Sequence, residues 1–289
     1  MRVLILGGTG FIGEAVVRAL VTAGHDVCAL ARSDGARRTL AALGASPIAG
    51  DIRAPEAWAG AVLEVDALIH AAGIFSDEMA EIDARLLQAI EAVAARRSDR
   101  LRMLYTGGCW LYGDTGGQIA TEESPYNPIP AFRYMVDGVA RLQNAAGIAP
   151  LVIHPGMTYA RGDGVLARFV ESARRSGRIE VWGGLDAHWP VVHRDDLADA
   201  YRLVLETAPD GETYIAVSEP GVRVGDIVAR IQVRFGLDQA PFIRNSKDVM
   251  AEHGAWALGP TIDQRLSSQK LRRRLGWRPE HANILDEAP

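Results

Sequence analysis

Five apolar-rich residues, "RVLIL" (2–6), run into three spaced glycines and then into a helix-like stretch, "GGTGFIGEAVVRALVTAG". No other feature of the sequence narrows the fold as much. Gly7 permits a tight turn, Gly10 removes the Cβ that would hold a ligand off the backbone, and Gly13 lets the helix lie close to the strand. Beyond them Ile12, Ala15, Val16, Ala19 and Leu20 fall on one helical face. The start of such a helix offers unpaired N–H groups to an anion. Strand, glycine loop and helix in this order predict a turn that cradles the pyrophosphate of a dinucleotide, with Thr9, Phe11 and Ile12 completing the loop. A glycine-rich turn without a ligand is the alternative.

The alternation continues downstream. "DVCAL" (26–30), "DALIHAA" (66–72), "LRMLYT" (101–106) and "PLVIHP" (150–155) are short and bounded by Gly, Pro or charge, as buried strands are. Between the last three, "EMAEIDARLLQAIEAVAARR" puts Met79, Ile82, Leu86, Ala89, Ile90 and Val93 on one helical face. Strands this apolar, alternating with helices, pair in parallel and are covered on both sides. The fold class predicted is therefore α/β, a doubly wound parallel sheet of the Rossmann type over residues 1–155. A smaller substrate lobe is expected over 156–289, with segments near 191–218 returning to the sheet. Within it, 164–177, 195–208 and 224–236 have helical spacing, 212–218 reads as a strand, and Ser267 or Ser268 can cap a last basic helix.

Composition excludes several function classes. The 289 residues suffice for a full core, and a net charge of −5 gives no electrostatic reason to bind nucleic acid. Cys28 and Cys109 are isolated, and the histidines are scattered without ligand spacing, so neither a disulfide framework nor a metal is expected. The first residues lack a signal peptide's apolar region, and no apolar run reaches membrane-spanning length; a cytoplasmic protein without membrane partners is expected. A small molecule is the partner predicted, on a monomer or homodimer.

The second strand should end beside the adenine ribose of the dinucleotide. There the chain reads "HDVCALARSDGARR", with Ala31 at the place where an acid would select NAD. Arg32 follows, beside Ser33, and a guanidinium suits a 2′-phosphate. NADP is predicted, while Asp34 leaves NAD open.

With these motifs in place, the chain resembles the extended branch of the short-chain dehydrogenase/reductase superfamily almost end to end. "GGTGFIG" is similar to that family's glycine loop. "GDIR" (50–53) resembles its adenine contact, which implies Asp51 and Ile52. "ALIHAAG" (67–73) implies that Ala71, Ala72 and Gly73 lie along the cofactor. "HPG" (154–156) resembles an Arg-Pro-Gly turn near the nicotinamide, which implies His154 and Pro155, with His replacing Arg. "VVHRDDLADA" and "SSQKLRRRLGWRP" resemble later signatures.

The resemblance also implies a proton relay of Ser, Tyr and Lys, and here the sequence departs from it. "LYTGGCWLYGD" (104–114) puts Gly107 or Gly108 where Ser belongs. Both lysines, Lys247 and Lys270, lie far from the helix "AFRYMVDGVARLQ". Aligning Asp137 with the acid that follows the family's Lys places Arg133 at the Lys position and Ile129 at the Tyr position. Tyr134-x-x-x-Gly138 is no catalytic pair. The residues left for chemistry are Arg133 as a cofactor-holding cation, Tyr134 as proton donor and Thr106 as a hydroxyl near a carbonyl. A packing role is open for each. Tyr112 and Tyr126 are further phenols, and Cys109 reads as core. Trp110, Trp182 and Trp189 line a substrate pocket or pack the lobe. The function expected is NADPH-dependent reduction of a carbonyl or unsaturated bond in a small organic substrate. Redox-neutral epimerisation or dehydration of a sugar nucleotide, or a non-catalytic NADP sensor, are the alternatives.

Overall fold

In the computed structural model, which describes residues 1–281 and 283–288, the first elements are β1 (Arg2–Leu6), α1 (Phe11–Thr22), β2 (Asp26–Ala31), α2 (Asp34–Ala42), β3 (Ser46–Ala49), β4 (Ala67–His70), α3 (Met79–Ala94) and β5 (Leu101–Thr106). Then come β6 (Ile119–Ala120), α4 (Arg133–Asn144), β7 (Ile148–Pro155), β8 (Met157–Ala160), β9 (Asp163–Gly164), α5 (Ala167–Ser176), β10 (Glu180–Trp182) and β11 (His188–His193). The last ones used below are α6 (Arg194–Thr207), β12 (Thr213–Ala216), β13 (Glu219–Arg223), α7 (Val224–Phe235), β14 (Phe242–Arg244) and α8 (Ser246–His253).

Seven strands form one sheet in the order β12-β7-β5-β4-β1-β2-β3. Pairing is parallel, with Val3 opposite both Val27 and Ala67, and Leu104 opposite both Ile69 and Leu151. Val3 to Leu6 and Ala67 to Ile69 are wholly buried, which is why these runs carry no alternation of polar and apolar residues. The chain winds outward from β1 through β2 to β3, then restarts at β4 on the other side. The crevice between β1 and β4 is the switch point where such sheets take ligands.

The chain divides into two compact units, 1–107 with 134–154 and 198–214, and 108–133 with 155–197 and 215–289. The first holds a core of Leu4, Leu6, Leu68, Leu86, Ile90, Met103 and Val152. The second has a four-stranded sheet, β13-β11-β8-β9, and a core that includes Tyr159, Phe169, Trp189, Val191 and Ile227. Its C-terminal segment is pinned by Asp196, whose carboxylate accepts from the backbone N–H groups of Glu280 and His281. Among the described residues no helix is long and apolar enough to cross a membrane.

Candidate functional site

In the first unit a cleft of about 250 Å³ opens at the switch point. Gly7, Thr9 and Gly10 form one wall, and Ala71, Ala72 and Gly73, just past β4, form another. Their closeness is what makes Gly7 obligatory. Its φ is +88°, and a Cβ there would lie 2.6 Å from the Ala71 carbonyl oxygen. Gly10 is the N-cap of α1 and no side chain caps that end, so the helix start is left for an anion. Gly13 serves the packing: a Cβ would fall 2.0 Å from the Gly7 oxygen. It is not in the cleft wall, and neither are Phe11 and Ile12, which open α1.

The far end of the cleft is lined by Arg32, Ala36, Asp51 and Ile52. Arg32 is exposed, and no carboxylate pairs with it among the described residues. Ser33 is turned to another task, accepting the Ala36 N–H at 3.2 Å as the N-cap of α2. Asp51 accepts from the Arg53 N–H at 2.9 Å, and its carbonyl takes the Trp58 indole N–H at 2.8 Å. Leu30, Gly50, Arg53 and Ile74 also line the cleft, and the sequence reading missed them. Gly50 was legible only in hindsight, since a Cβ there would strike the Trp58 ring at 2.5 Å. The cradle that a Cβ would fill, the uncapped helix and the unpaired Arg32 fit a dinucleotide, and these are the residues that would hold it.

His154 is wholly buried, Pro155 is buried, and both lie outside the cleft wall. A Cβ on Gly107 would lie 2.3 Å from the His154 Nδ1, so the imidazole fills the space a side chain at 107 would use. Gly107 and His154 are thus one packing solution. Burial holds the His154 pKa down at about 3, and the ring is neutral. Gly108, in the second unit, has no such obstruction within 4 Å. Thr106 does not stand alone either: its hydroxyl is 2.6 Å from that of Tyr201, a buried residue of α6.

Tyr134 lies in the first turn of α4, one turn before the buried Gly138. The absence of a side chain at 138 gives room to Tyr105 and Asp83: a Cβ would meet the Tyr105 hydroxyl at 3.1 Å and the Asp83 Oδ2 at 3.3 Å. Asp83, 2% exposed, accepts from the Tyr105 O–H at 2.9 Å and sits 2.8 Å from the His70 Nε2. The His70 Nδ1 has no partner. Burial, and after it the Asp83 charge, raise the pKa of the Tyr134 phenol far above its usual value. Arg133, the first residue of α4, is exposed.

In the second unit Cys109 is buried, and desolvation pushes its thiol up to about 12. Trp189 stacks on Phe169, and its indole N–H donates to the Pro260 carbonyl at 3.1 Å, as a core residue. Trp110 packs on Phe132 and fills the space a Cβ on Gly259 would need. His193, His281 and Glu287 come within metal-ligand distance of one another. However, the His193 Nδ1 accepts the Asp195 N–H at 3.2 Å. In the neutral ring the proton then resides on Nε2, which removes it as a ligand.

The model of the family described as "NAD dependent epimerase/dehydratase family" matches residues 3–216. An uncharacterised protein of Schizosaccharomyces pombe is 30% identical over 99% of this chain and 98% of its own length. A 2-alkyl-3-oxoalkanoate reductase of Stenotrophomonas maltophilia is 27% identical over 73% of this chain and 67% of its own. Among solved structures, the human epimerase family protein SDR39U1 with NADPH superposes with a TM-score of 0.77 at 20% identity, over 100% of this chain and 97% of that one.

Proposed function

Because the chain belongs to the NAD dependent epimerase/dehydratase family, we propose that it is a reductase that uses NADPH to reduce a carbonyl, or a related unsaturated bond, in a small organic substrate. The cofactor choice is supported by Arg32, which lines the cleft without a carboxylate paired to it among the described residues, and by Ala31 in the selecting position. The bound nicotinamide would supply the hydride. The chain's own part is to seat the diphosphate at the α1 N-terminus, to pair Arg32 with the 2′-phosphate and to deliver one proton.

One observation favours the reductive reading: the position one turn after Tyr134 is the side-chain-free Gly138, so no lysine of α4 stands there to make this phenol a base, and burial, with the Asp83 charge second, raises its pKa. A lysine near such a phenol would lower its pKa and let it take a proton from an alcohol. A phenol with a raised pKa is a poor base, yet it can still donate a hydrogen bond to a carbonyl oxygen and pass its proton to the more basic oxyanion. Reduction asks for this behaviour. Epimerisation and dehydration begin by oxidising an alcohol and ask for a base. The reductase named in the Stenotrophomonas relative is in line with this reading.

The test is to titrate NADPH by fluorescence and then follow its oxidation with ketones, aldehydes and enones. Arg32→Glu should weaken NADPH and leave NADH nearly unchanged. Tyr134→Phe should lower kcat by roughly 10²-fold or more while NADPH still binds. Unchanged turnover in Tyr134→Phe would remove this donor. NADPH bound but never consumed would move the reading to a sensor or to redox-neutral chemistry.

A further inference from the structure

Arg53 stands in the cleft wall of the first unit with its main chain fixed and its head unheld. The Asp51 carboxylate accepts its backbone N–H at 2.9 Å, and its carbonyl accepts from the Arg85 Nη1 at 3.1 Å. Arg85 in turn grips Glu56 at 2.8 and 2.9 Å. The Arg53 guanidinium has nothing comparable. The acids beside it, Glu78 and Asp51, lie at 3.9 and 4.0 Å, beyond hydrogen-bond reach, and among the described residues it donates to no acceptor. The side chain is 43% exposed.

Charge and shape decide what such a group can receive. Two carboxylates flank one guanidinium, and Arg85 is neutralised by Glu56, so this corner has no positive charge to spare for a phosphate. Arg32, in the same cleft and without a carboxylate paired to it among the described residues, suits that task better. A guanidinium is also flat and weakly hydrated, and it stacks on aromatic faces without needing an anionic partner. Leu30, Ile52, Ala71 and Ala72 give the cleft apolar walls, which favour a flat ring. Glu78 comes four residues after Ile74, in the chain that continues the wall of Ala71, Ala72 and Gly73. Its charge therefore draws the guanidinium from the far end of the cleft toward that wall.

We infer that Arg53 is the stacking lid of the adenine ring, its guanidinium plane lying on one face of the base while Asp51 and Glu78 keep it in place. The two arginines of the cleft then divide the nucleotide, Arg32 taking a phosphate and Arg53 the base. The inference deepens the proposed function by assigning a base-recognition residue, and it rests on that reading only for the presence of a dinucleotide in the cleft.

Calorimetric titration of the full chain with ADP-ribose, pyrophosphate and NADPH tests it without turnover. ADP-ribose carries the base and no 2′-phosphate, so the outcome does not hang on the choice between NADP and NAD. Pyrophosphate lacks the base, and urea midpoints show that each variant is folded. Arg53→Ala should weaken ADP-ribose and NADPH roughly tenfold and leave pyrophosphate within about twofold of native. That loss should be the same at low and high salt, because stacking is not screened, whereas the loss of NADPH binding in Arg32→Glu should shrink. Arg53→Tyr, a plane without charge, should recover more than Arg53→Lys, a charge without a plane. ADP-ribose bound equally well by Arg53→Ala, an equal loss for pyrophosphate, a loss that vanishes at high salt, or better recovery in Arg53→Lys than in Arg53→Tyr would each overturn the inference. A native chain that binds neither ADP-ribose nor NADPH would defeat the dinucleotide reading and this inference with it. A chain that holds the base through Arg53 yet never oxidises NADPH would leave the inference standing and defeat the reductase reading.

Discussion

Adding a single methyl group at Gly107 should damage this protein, although the related chains are expected to carry a serine near that position. A Cβ there would lie 2.3 Å from Nδ1 and 2.5 Å from Cε1 of His154. Ordinary contact requires about 3.5 Å, so the ring would have to retreat by about 1 Å. His154 is 0% exposed on the wholly buried strand β7, and close-packed surroundings do not yield that distance freely. Gly107 is not among the residues at positive φ, so the cost of Gly107→Ala comes from crowding rather than backbone strain. Overpacking of this kind costs about 1–3 kcal/mol. At the middle of that range the melting temperature falls by roughly 4–8 °C.

Urea unfolding of four proteins checks it: native, Gly107→Ala, His154→Ala and the double variant. With the imidazole gone the added methyl has room, so the two changes should be non-additive by at least about 1 kcal/mol. Gly107→Ala within about 0.5 kcal/mol of native, or strict additivity in the double variant, would refute the claim that the ring occupies the place of the missing side chain. The same crowding means that Gly107→Ser cannot simply restore a hydroxyl to the site.

Two other outcomes follow from buried groups. The folded His154 titrates near 3 and the unfolded one near 6.5, so between these values the unfolded chain binds the extra proton; stability should fall as pH drops from about 6.5 toward 3, by up to ~1.4 kcal/mol per unit. His154→Gln should flatten that limb in urea midpoints taken between neutral and mildly acid pH, and an unchanged slope would assign it to other groups. Burial raises the Cys28 thiol and pushes that of Cys109 to about 12, so iodoacetamide at mildly alkaline pH should leave both unmodified in the native protein and alkylate both in urea. Mass spectrometry reads the difference, and rapid native labelling of Cys109 would contradict its burial.

The large sheet was legible because parallel strands buried on both faces are written as short apolar runs. Leu101–Thr106 was predicted to the residue, and Arg2–Leu6 likewise. β3 was missed, since "SPIA" at the sheet edge has no wholly buried residue and no apolar run to announce it. α2 was missed for the related reason that only Leu40 of "DGARRTLAA" is buried. In the site, residues that touch a ligand through backbone were readable from glycine spacing and alanine runs. Those placed by tertiary contact were not. Nothing in the spacing of His70, Asp83 and Tyr105 announces that three separate elements bring them together.

The residues that stand where the resemblance implies Ser, Tyr and Lys are held in place by local packing. Glycine at 138 lies one turn from Tyr134, on the same face, and the space it leaves is taken by the Tyr105–Asp83 hydrogen bond. A lysine stem at 138 would run into that bond. Where a cation would have acidified a phenol, burial first and the Asp83 charge second raise the pKa of Tyr134. The substitution reverses the sign of the electrostatic influence on Tyr134 while leaving the glycine loop and the cleft intact. In the proposed reductase such a phenol can hydrogen-bond a carbonyl oxygen but is a poor base, and a base is what an epimerase that begins by oxidising an alcohol would need.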